Sequence, residues 1–192
     1  VAQESMDKNR GTAMPGYVDA DGHVIEDVDA IVKFLDPPYD RTRNNWGILP
    51  GGDRFHTRAS INRPDIFQPA DHKRWTGFMD KTGTDWAVLY PTRGLFYGRL
   101  HFEDWAIVYA RGYNNWLHDA FIRQTPRLRG VGLLPMQNVQ AAITELKRCV
   151  KDLGMVGGMI PSNGLGLHIG AKEYWPLYAA AVELDCVLAI HG

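Results

Sequence analysis

The sequence has few cysteines, no excess of charge of either sign and no long hydrophobic run. Its two cysteines, Cys149 and Cys186, fall in a predicted helix and a predicted buried strand, so we expect reduced packing residues rather than a disulfide framework. A formal net charge of −1 over 192 residues leaves no basic surface excess, which argues against nucleic acid or anionic lipid as a partner.

Segments that would direct the chain to a membrane or bind a nucleotide are also missing. No apolar run approaches the roughly 18 to 20 residues of a membrane-spanning helix, and the N-terminal "VAQESMDKNRGTAMPG" has no apolar signal-peptide core. We therefore expect no membrane contact and a cytoplasmic location. In place of a glycine-rich phosphate turn, the first predicted strand carries "DADGHVIED", whose carboxylates would repel a dinucleotide phosphate.

What the sequence does contain is a regular alternation of strands and helices. Mostly apolar segments predict five strands, at 17–22, 86–91, 128–135, 155–161 and 186–192. Helical patterns lie between them, at 71–82, 103–124, 139–153 and 173–185. The helix at 139–153 has Asn138 as a predicted N-cap and Gly154 directly after its end. This alternation predicts one domain over 1–192, with a parallel sheet whose strands are covered on both faces.

The predicted fold is α/β, a (β/α)8 TIM-barrel type that is truncated after strand five. Polar residues follow each predicted strand, as in barrels whose active site lies at the carboxyl ends of the strands. Five strands cannot close an eight-stranded barrel, and an open parallel edge invites pairing. We expect further residues to supply the remaining strands; the alternative is a homo-oligomer in which a second chain pairs along strand five.

Three side chains form the predicted metal site. Asp21 and His23 are two residues apart, so on an extended backbone they point to the same side and can converge on one cation. His191 ends the apolar segment "CVLAI" and is the predicted third ligand. Asp21, His23 and His191 are therefore the predicted catalytic residues. Glu26 follows three residues after His23 and is predicted to bind the metal or substrate, with capping of the next segment as the alternative.

Substrate contacts are predicted on the loops that follow the strands. The segment 36–70 is rich in proline and aromatic residues and is too long for an ordinary loop, so we expect it to cover the site, with Trp46 as its main contribution. Arg93 follows strand two and can clamp a substrate carboxylate through its guanidinium fork. The predicted residues after strand four are Ser162, Asn163 and His168, the last on a glycine-rich loop.

Several segments, in order, resemble one enzyme family. The segments "DADGHVIED", "DKTGTDWAVLYPTRGL", "PRLRGVGLLPMQNVQAAITELKRCVKDLGMVGGMIPS" and "YWPLYAAAVELDCVLAIHG" are similar to the amidohydrolase-related metal enzymes that include aminocarboxymuconate semialdehyde decarboxylase and the aromatic-acid decarboxylases. The resemblance covers about residues 17 to 192. It implies that Asp21 replaces the first histidine of the family's H-x-H motif, that His23 matches the second, and that His191 matches the strand-five ligand.

The resemblance also bears on the metal. Two-metal members of the family bridge their ions with a carboxylated lysine at the end of strand four, whereas this strand ends "GMIPSN" and Lys172 lies well downstream. We therefore predict one divalent ion, with Mn²⁺ or Fe²⁺ favoured over Zn²⁺ because Asp21 makes the ligand set harder.

Three functions remain open at this stage. The first is hydrolysis of a small organic substrate by metal-bound hydroxide, and the second is non-oxidative decarboxylation of an aromatic or unsaturated carboxylic acid. The third is a non-catalytic half-barrel that serves as an interaction protein. The first is the leading interpretation, and the residues do not separate it from the second.

Overall fold

The strands form a single curled sheet. The computed structural model describes residues 16–41 and 69–192, and its strands are all parallel and follow the chain in the order β1-β2-β3-β4-β5. Their bounds are β1 (Tyr17–Val24), β2 (Thr84–Pro91), β3 (Leu128–Leu133), β4 (Gly157–Pro161) and β5 (Val187–His191). Five consecutive parallel strands with helices between them are the first five strands of a (β/α)8 barrel, so the predicted fold class is confirmed.

Helices follow or precede the strands on the outer face. Their bounds are α1 (Val28–Val32), α2 (His72–Thr82), α3 (Glu103–Ala120), α4 (Val139–Lys151) and α5 (Trp175–Glu183). Short 3-10 helices lie at Tyr39–Arg41, Arg93–Arg99, Ile122–Gln124 and Lys172–Tyr174. Neither α1 nor the 3-10 helix at Arg93–Arg99 was expected from the sequence. Of the helices in 16–41 and 69–192, none has the length and apolarity that crossing a lipid bilayer requires.

Local signals explain where these helices begin and end. Asp71 and Asn138 are N-caps whose side chains accept hydrogen bonds from Arg74 N and Ala141 N, so the predicted Asn138 cap is confirmed. Gly154 follows α4 with φ 62°, in the left-handed region that glycine adopts without strain. The predicted helix at 103–124 is shorter in the structure, because Phe121 leaves helical geometry at φ −130°.

The inner strands β3 and β4 are buried on both faces, and the two edge strands are not. Every residue of β4 is buried, and so is nearly all of β3. In contrast, Val18 on β1 and Ile190 on β5 are more than half exposed. The prediction that all five strands are covered on both faces is therefore wrong for β1 and β5, which each have one neighbouring strand in the described sheet.

A buried polar network joins α3 and α4 to β3. The side chain of Asn114, on α3, donates to Leu133 O at 3.0 Å and to Glu145 Oε1 at 2.7 Å, while Leu133 N donates to Asn114 Oδ1 at 2.7 Å. Arg148 donates to both Glu145 oxygens. Because each buried polar group has a partner, the network fixes these helices against β3 without an unpaired charge. Both cysteines are free, and Cys149 is buried beside Glu145.

Candidate metal centre

The end of β1 carries the first part of the site. β1 extends to Val24, two residues beyond the predicted strand, so both Asp21 and His23 lie within it. The strand bulges between Asp19 and Gly22, because these residues pair with Ala87 and Leu89 on β2. The bulge leaves Asp21 exposed and His23 half-buried at the carboxyl end of the strand.

Three side chains converge at this end of the sheet. Asp21 Oδ1 lies 2.9 Å from His191 Nε2 and 3.5 Å from His23 Nε2. The two Nε2 atoms of His23 and His191 are 3.0 Å apart. One ligand atom from each residue therefore lies close enough to the others for a single cation to contact all three, and metal binding by Asp21, His23 and His191 stays a prediction.

His23 is held in one orientation. Its Nδ1 lies 2.8 Å from the carbonyl oxygen of Pro91, which accepts a hydrogen bond from a protonated Nδ1 and leaves a lone pair on Nε2. Burial lowers the pKa of His23 from its ordinary value, and nearby His191 lowers it further, while the Pro91 carbonyl and Asp21 act in the opposite direction. A neutral imidazole with a free Nε2 is the form that binds a metal.

In His191 the two ring nitrogens have the opposite roles to those in His23. Its Nδ1 accepts a hydrogen bond from Gly192 N at 2.9 Å, so its proton lies on Nε2 and points to Asp21 Oδ1. That proton occupies the place between the three side chains where a cation would be held. Metal binding at Nε2 would require the proton to lie on Nδ1 instead, which is the other neutral tautomer of the ring.

Glu26 is not part of this cluster. Its side chain is buried, with Oε2 accepting from Arg93 N at 3.0 Å and Oε1 accepting from Gly94 N at 2.7 Å. Burial raises the pKa of the Glu26 carboxyl, although the two backbone donors and the Arg93 charge oppose this shift. Both oxygens are thus used by the turn after β2, which supports neither a metal-ligand role nor capping of the next segment, since the N-cap of α1 is Asp27.

Tyr90 borders the cluster and was missed in the sequence. Its ring centroid lies 5.3 Å from that of His191 and 6.0 Å from that of His23, its partner in the sheet register. The residue is 8% exposed, and burial raises the pKa of its hydroxyl. Tyr90 could have been found from the alternation of side chains along the strand "WAVLYP", which places it on the same face as Trp86 and Val88.

The predicted substrate residues fall in two groups. Arg93 begins the 3-10 helix that follows β2, and Asn163 lies on the loop after β4, where its Nδ2 donates to Leu95 O at 3.3 Å. Ser162 and His168 are exposed, and His168 Nδ1 accepts from Gly170 N within its own loop, so His168 is not brought to the cluster. Trp46 lies outside the described residues, as does most of the predicted covering segment, 42–68.

Comparison with known proteins finds partial sequence matches to decarboxylases. Gamma-resorcylate decarboxylase from Polaromonas sp. (strain JS666) is 34% identical over 88 residues, which are 43% of this chain and 27% of that protein. The 2-amino-3-carboxymuconate-6-semialdehyde decarboxylase of Dictyostelium discoideum is 30% identical over 86 residues, 45% of this chain and 24% of that protein. Both matches therefore span a small part of the relative.

A solved structure has the same fold. The dihydroxybenzoic acid decarboxylase from Polaromonas sp. JS666, with bound manganese and the inhibitor 2-nitroresorcinol, superposes with a TM-score of 0.68 at 22% identity. The match covers 93% of this chain and 49% of that one, so this chain spans about half its length. The profile of the amidohydrolase family matches residues 18–192. The resemblance drawn from the sequence motifs is thus confirmed, and the chain belongs to the amidohydrolase family.

Proposed function

We propose that this protein is a metal-dependent decarboxylase of an aromatic carboxylic acid, with one divalent cation held by Asp21, His23 and His191. The observation that carries the proposal is the convergence of Asp21 Oδ1 and the two Nε2 atoms at the carboxyl edge of the sheet. The names of the relatives add support, since those quoted above are decarboxylases and the solved neighbour holds manganese.

The donor set fits such a cation. One carboxylate oxygen and two imidazole nitrogens suit Mn²⁺, Fe²⁺ or Zn²⁺, and the carboxylate favours the harder ions of this group. Manganese is therefore the first metal to test.

The reaction requires few changes at the substrate. A carboxylate and one proton become carbon dioxide and the hydrogen-bearing product: the bond to the carboxyl carbon breaks, its electron pair stays on the ring carbon, and that carbon takes the proton. The cation would supply positive charge that holds the acid and stabilises negative charge as it develops. Tyr90 would border the ring and donate its hydroxyl to a substrate oxygen, and Arg93 at the rim would attract the carboxylate.

Hydrolysis, the first interpretation of the sequence, uses the same ligands and is the alternative. It would require a water molecule at the cation to attack an ester or amide. The three side chains suit either reaction. Decarboxylation is preferred because the quoted relatives carry that activity in their names.

The test is to incubate the purified protein with Mn²⁺ and gamma-resorcylate and to measure released carbon dioxide. Asp21→Asn and His191→Ala should abolish release, whereas His72→Ala, on the surface helix α2, should retain it. An ester and an amide of the same acid are assayed in parallel. Cleavage of either without carbon dioxide release from the free acid would replace the proposal with the hydrolase alternative.

A further inference from the structure

We propose that Glu26 is a positioning residue for the metal centre: it binds the turn after β2 and thereby fixes the Pro91 carbonyl that orients His23. The inference rests on the proposed function for its effect on metal binding. Its structural part, the orientation of His23, stands on the contacts of the protein itself and can be tested without metal.

The first contact is between Glu26 and two consecutive backbone amides. Oε2 accepts from Arg93 N at 3.0 Å and Oε1 accepts from Gly94 N at 2.7 Å, at the start of the 3-10 helix that follows β2. The carboxylate is 4% exposed, so water does not compete for these hydrogen bonds. Charge-assisted hydrogen bonds of this kind are about twice as strong as neutral ones. A buried carboxylate with both oxygens on one turn fixes the position of that turn.

The second contact is between His23 and the same turn. His23 Nδ1 lies 2.8 Å from Pro91 O, three residues before Gly94. His23 lies at the end of β1 and Glu26 lies three residues later. Their side chains therefore hold the end of β2 and the turn after it at two points. Pro91 is the last residue of β2 and pairs with Val24 of β1, so the sheet holds the backbone up to this point. Beyond it, Glu26 holds Arg93 and Gly94 and so limits how the carbonyl of Pro91 can turn.

Packing within the turn transmits the position of Gly94 to Pro91. A Cβ placed on Gly94 would lie 2.6 Å from Pro91 Cβ and 2.7 Å from Pro91 Cγ, closer than real Cβ atoms approach, and 3.5 Å from Glu26 Oε1. There is thus no free space between the amide that Glu26 binds and the ring of Pro91. A displacement of Gly94 toward Pro91 would therefore move that ring.

The consequence concerns which nitrogen of His23 faces the cluster. While Pro91 O accepts from Nδ1, the neutral ring presents its lone pair at Nε2, 3.0 Å from His191 Nε2. If the carbonyl shifts, the ring can rotate, and the proton can move to Nε2, where it blocks a ligand position. Glu26 makes no contact with the cluster, so its effect must pass through the turn.

The experiment measures the tautomer of the His23 ring directly. Protein labelled with nitrogen-15 histidine is studied without metal, at a pH where His23 is neutral, and its ring nitrogen shifts report the tautomer. Wild type should give one tautomer for His23, with the proton on Nδ1. Glu26→Ala should give a mixture and weaken Mn²⁺ binding on the order of 10- to 100-fold, the range for residues that orient a metal ligand. Glu26→Gln, which keeps one acceptor oxygen, should fall between the two.

A matched control separates positioning from general loosening. Glu145 is also a buried carboxylate, but it belongs to the network of Asn114 and Arg148. Glu145→Ala should lower the free energy of unfolding and leave the His23 tautomer unchanged. Gly94→Ala alters the same turn from its other side and should reproduce the Glu26→Ala spectrum. It also provides the test, together with Glu26→Gln, if Glu26→Ala fails to fold.

Two results would overturn the inference. One is a His23 tautomer that is unchanged in Glu26→Ala or, where that variant does not fold, in both Glu26→Gln and Gly94→Ala. The other is a shift in Glu145→Ala as large as that in the Glu26 variants. A different result is possible: Glu26→Ala gives a mixed His23 tautomer, while wild type gives a single tautomer and binds no Mn²⁺. That result would support the positioning role and remove the proposed function.

Discussion

Asp21 Oδ1 lies 2.9 Å from His191 Nε2, although the two residues belong to β1 and β5, the two edges of the described sheet. Strands at opposite edges of a flat sheet cannot place side chains so close, so this contact exists because the sheet curls. The candidate metal centre therefore joins two edges that no backbone hydrogen bond connects.

Replacing Asp21 should remove metal binding selectively. Asp21→Asn leaves the shape of the side chain and takes away its charge, and we expect Mn²⁺ affinity to fall by more than about 100-fold, beyond the loss typical of a residue that only orients a ligand. Isothermal titration calorimetry measures the Mn²⁺ affinity of both proteins. The control is Asp19→Asn on the same strand, which keeps the oxygen that accepts from Asp21 N at 3.0 Å. Equal losses in both variants would contradict the assignment.

Mn²⁺ should stabilise the fold because it joins β1 to β5. At a free metal concentration 100 times the dissociation constant, linkage predicts a gain of about 2.7 kcal/mol in the free energy of unfolding. Urea unfolding with and without Mn²⁺ measures this gain, which should disappear in His191→Ala. A gain that persists in that variant would mean that the metal binds elsewhere.

Tyr90→Phe should affect substrate and leave the metal site intact. Loss of one hydroxyl that donates to substrate costs roughly 0.5 to 1.5 kcal/mol, which corresponds to a several-fold rise in KM, while Mn²⁺ affinity stays unchanged. Tyr17→Phe is the control, since Tyr17 is exposed at the opposite end of β1. Identical kinetics of Tyr90→Phe and wild type on a verified substrate would exclude Tyr90 from the substrate site.

Much of the fold could be predicted because it depends on local signals. Asn138 and Gly154 bound α4 through a cap and a left-handed residue, both of which are properties of a few neighbouring positions. The convergence of Asp21 and His23 followed from the two-residue period of a strand. Placing His191 beside them needed one further rule, that carboxyl ends of parallel strands share one side of the sheet.

The rest depended on contacts between distant segments. Nothing near Glu26 in the sequence indicates that its carboxylate binds the amides of Arg93 and Gly94, so its buried role could not be distinguished from metal binding. Tyr90 was visible as a strand residue, but its place beside His191 requires the curl of the whole sheet. The exposure of β1 and β5 follows from their edge positions, which an apolar pattern does not reveal.

The buried carboxyl of Glu26 predicts a pH dependence of stability. Its pKa is raised in the folded state by burial, so the folded protein holds this proton more tightly than the unfolded chain does. The contribution of Glu26 to stability is therefore largest below its ordinary pKa of 4.5 and falls as the pH rises through the raised value. Glu26→Gln does not titrate, so its stability relative to wild type should increase with pH over this window. Urea unfolding across the window measures it, and a parallel pH dependence of both proteins would contradict the shift.

The most direct test of the metal centre is anomalous diffraction from crystals of the protein grown with Mn²⁺. We expect one manganese peak, about 2.0 to 2.3 Å from Asp21 Oδ1, His23 Nε2 and His191 Nε2. A peak bound by other residues, or no peak at a millimolar concentration of Mn²⁺, would contradict it.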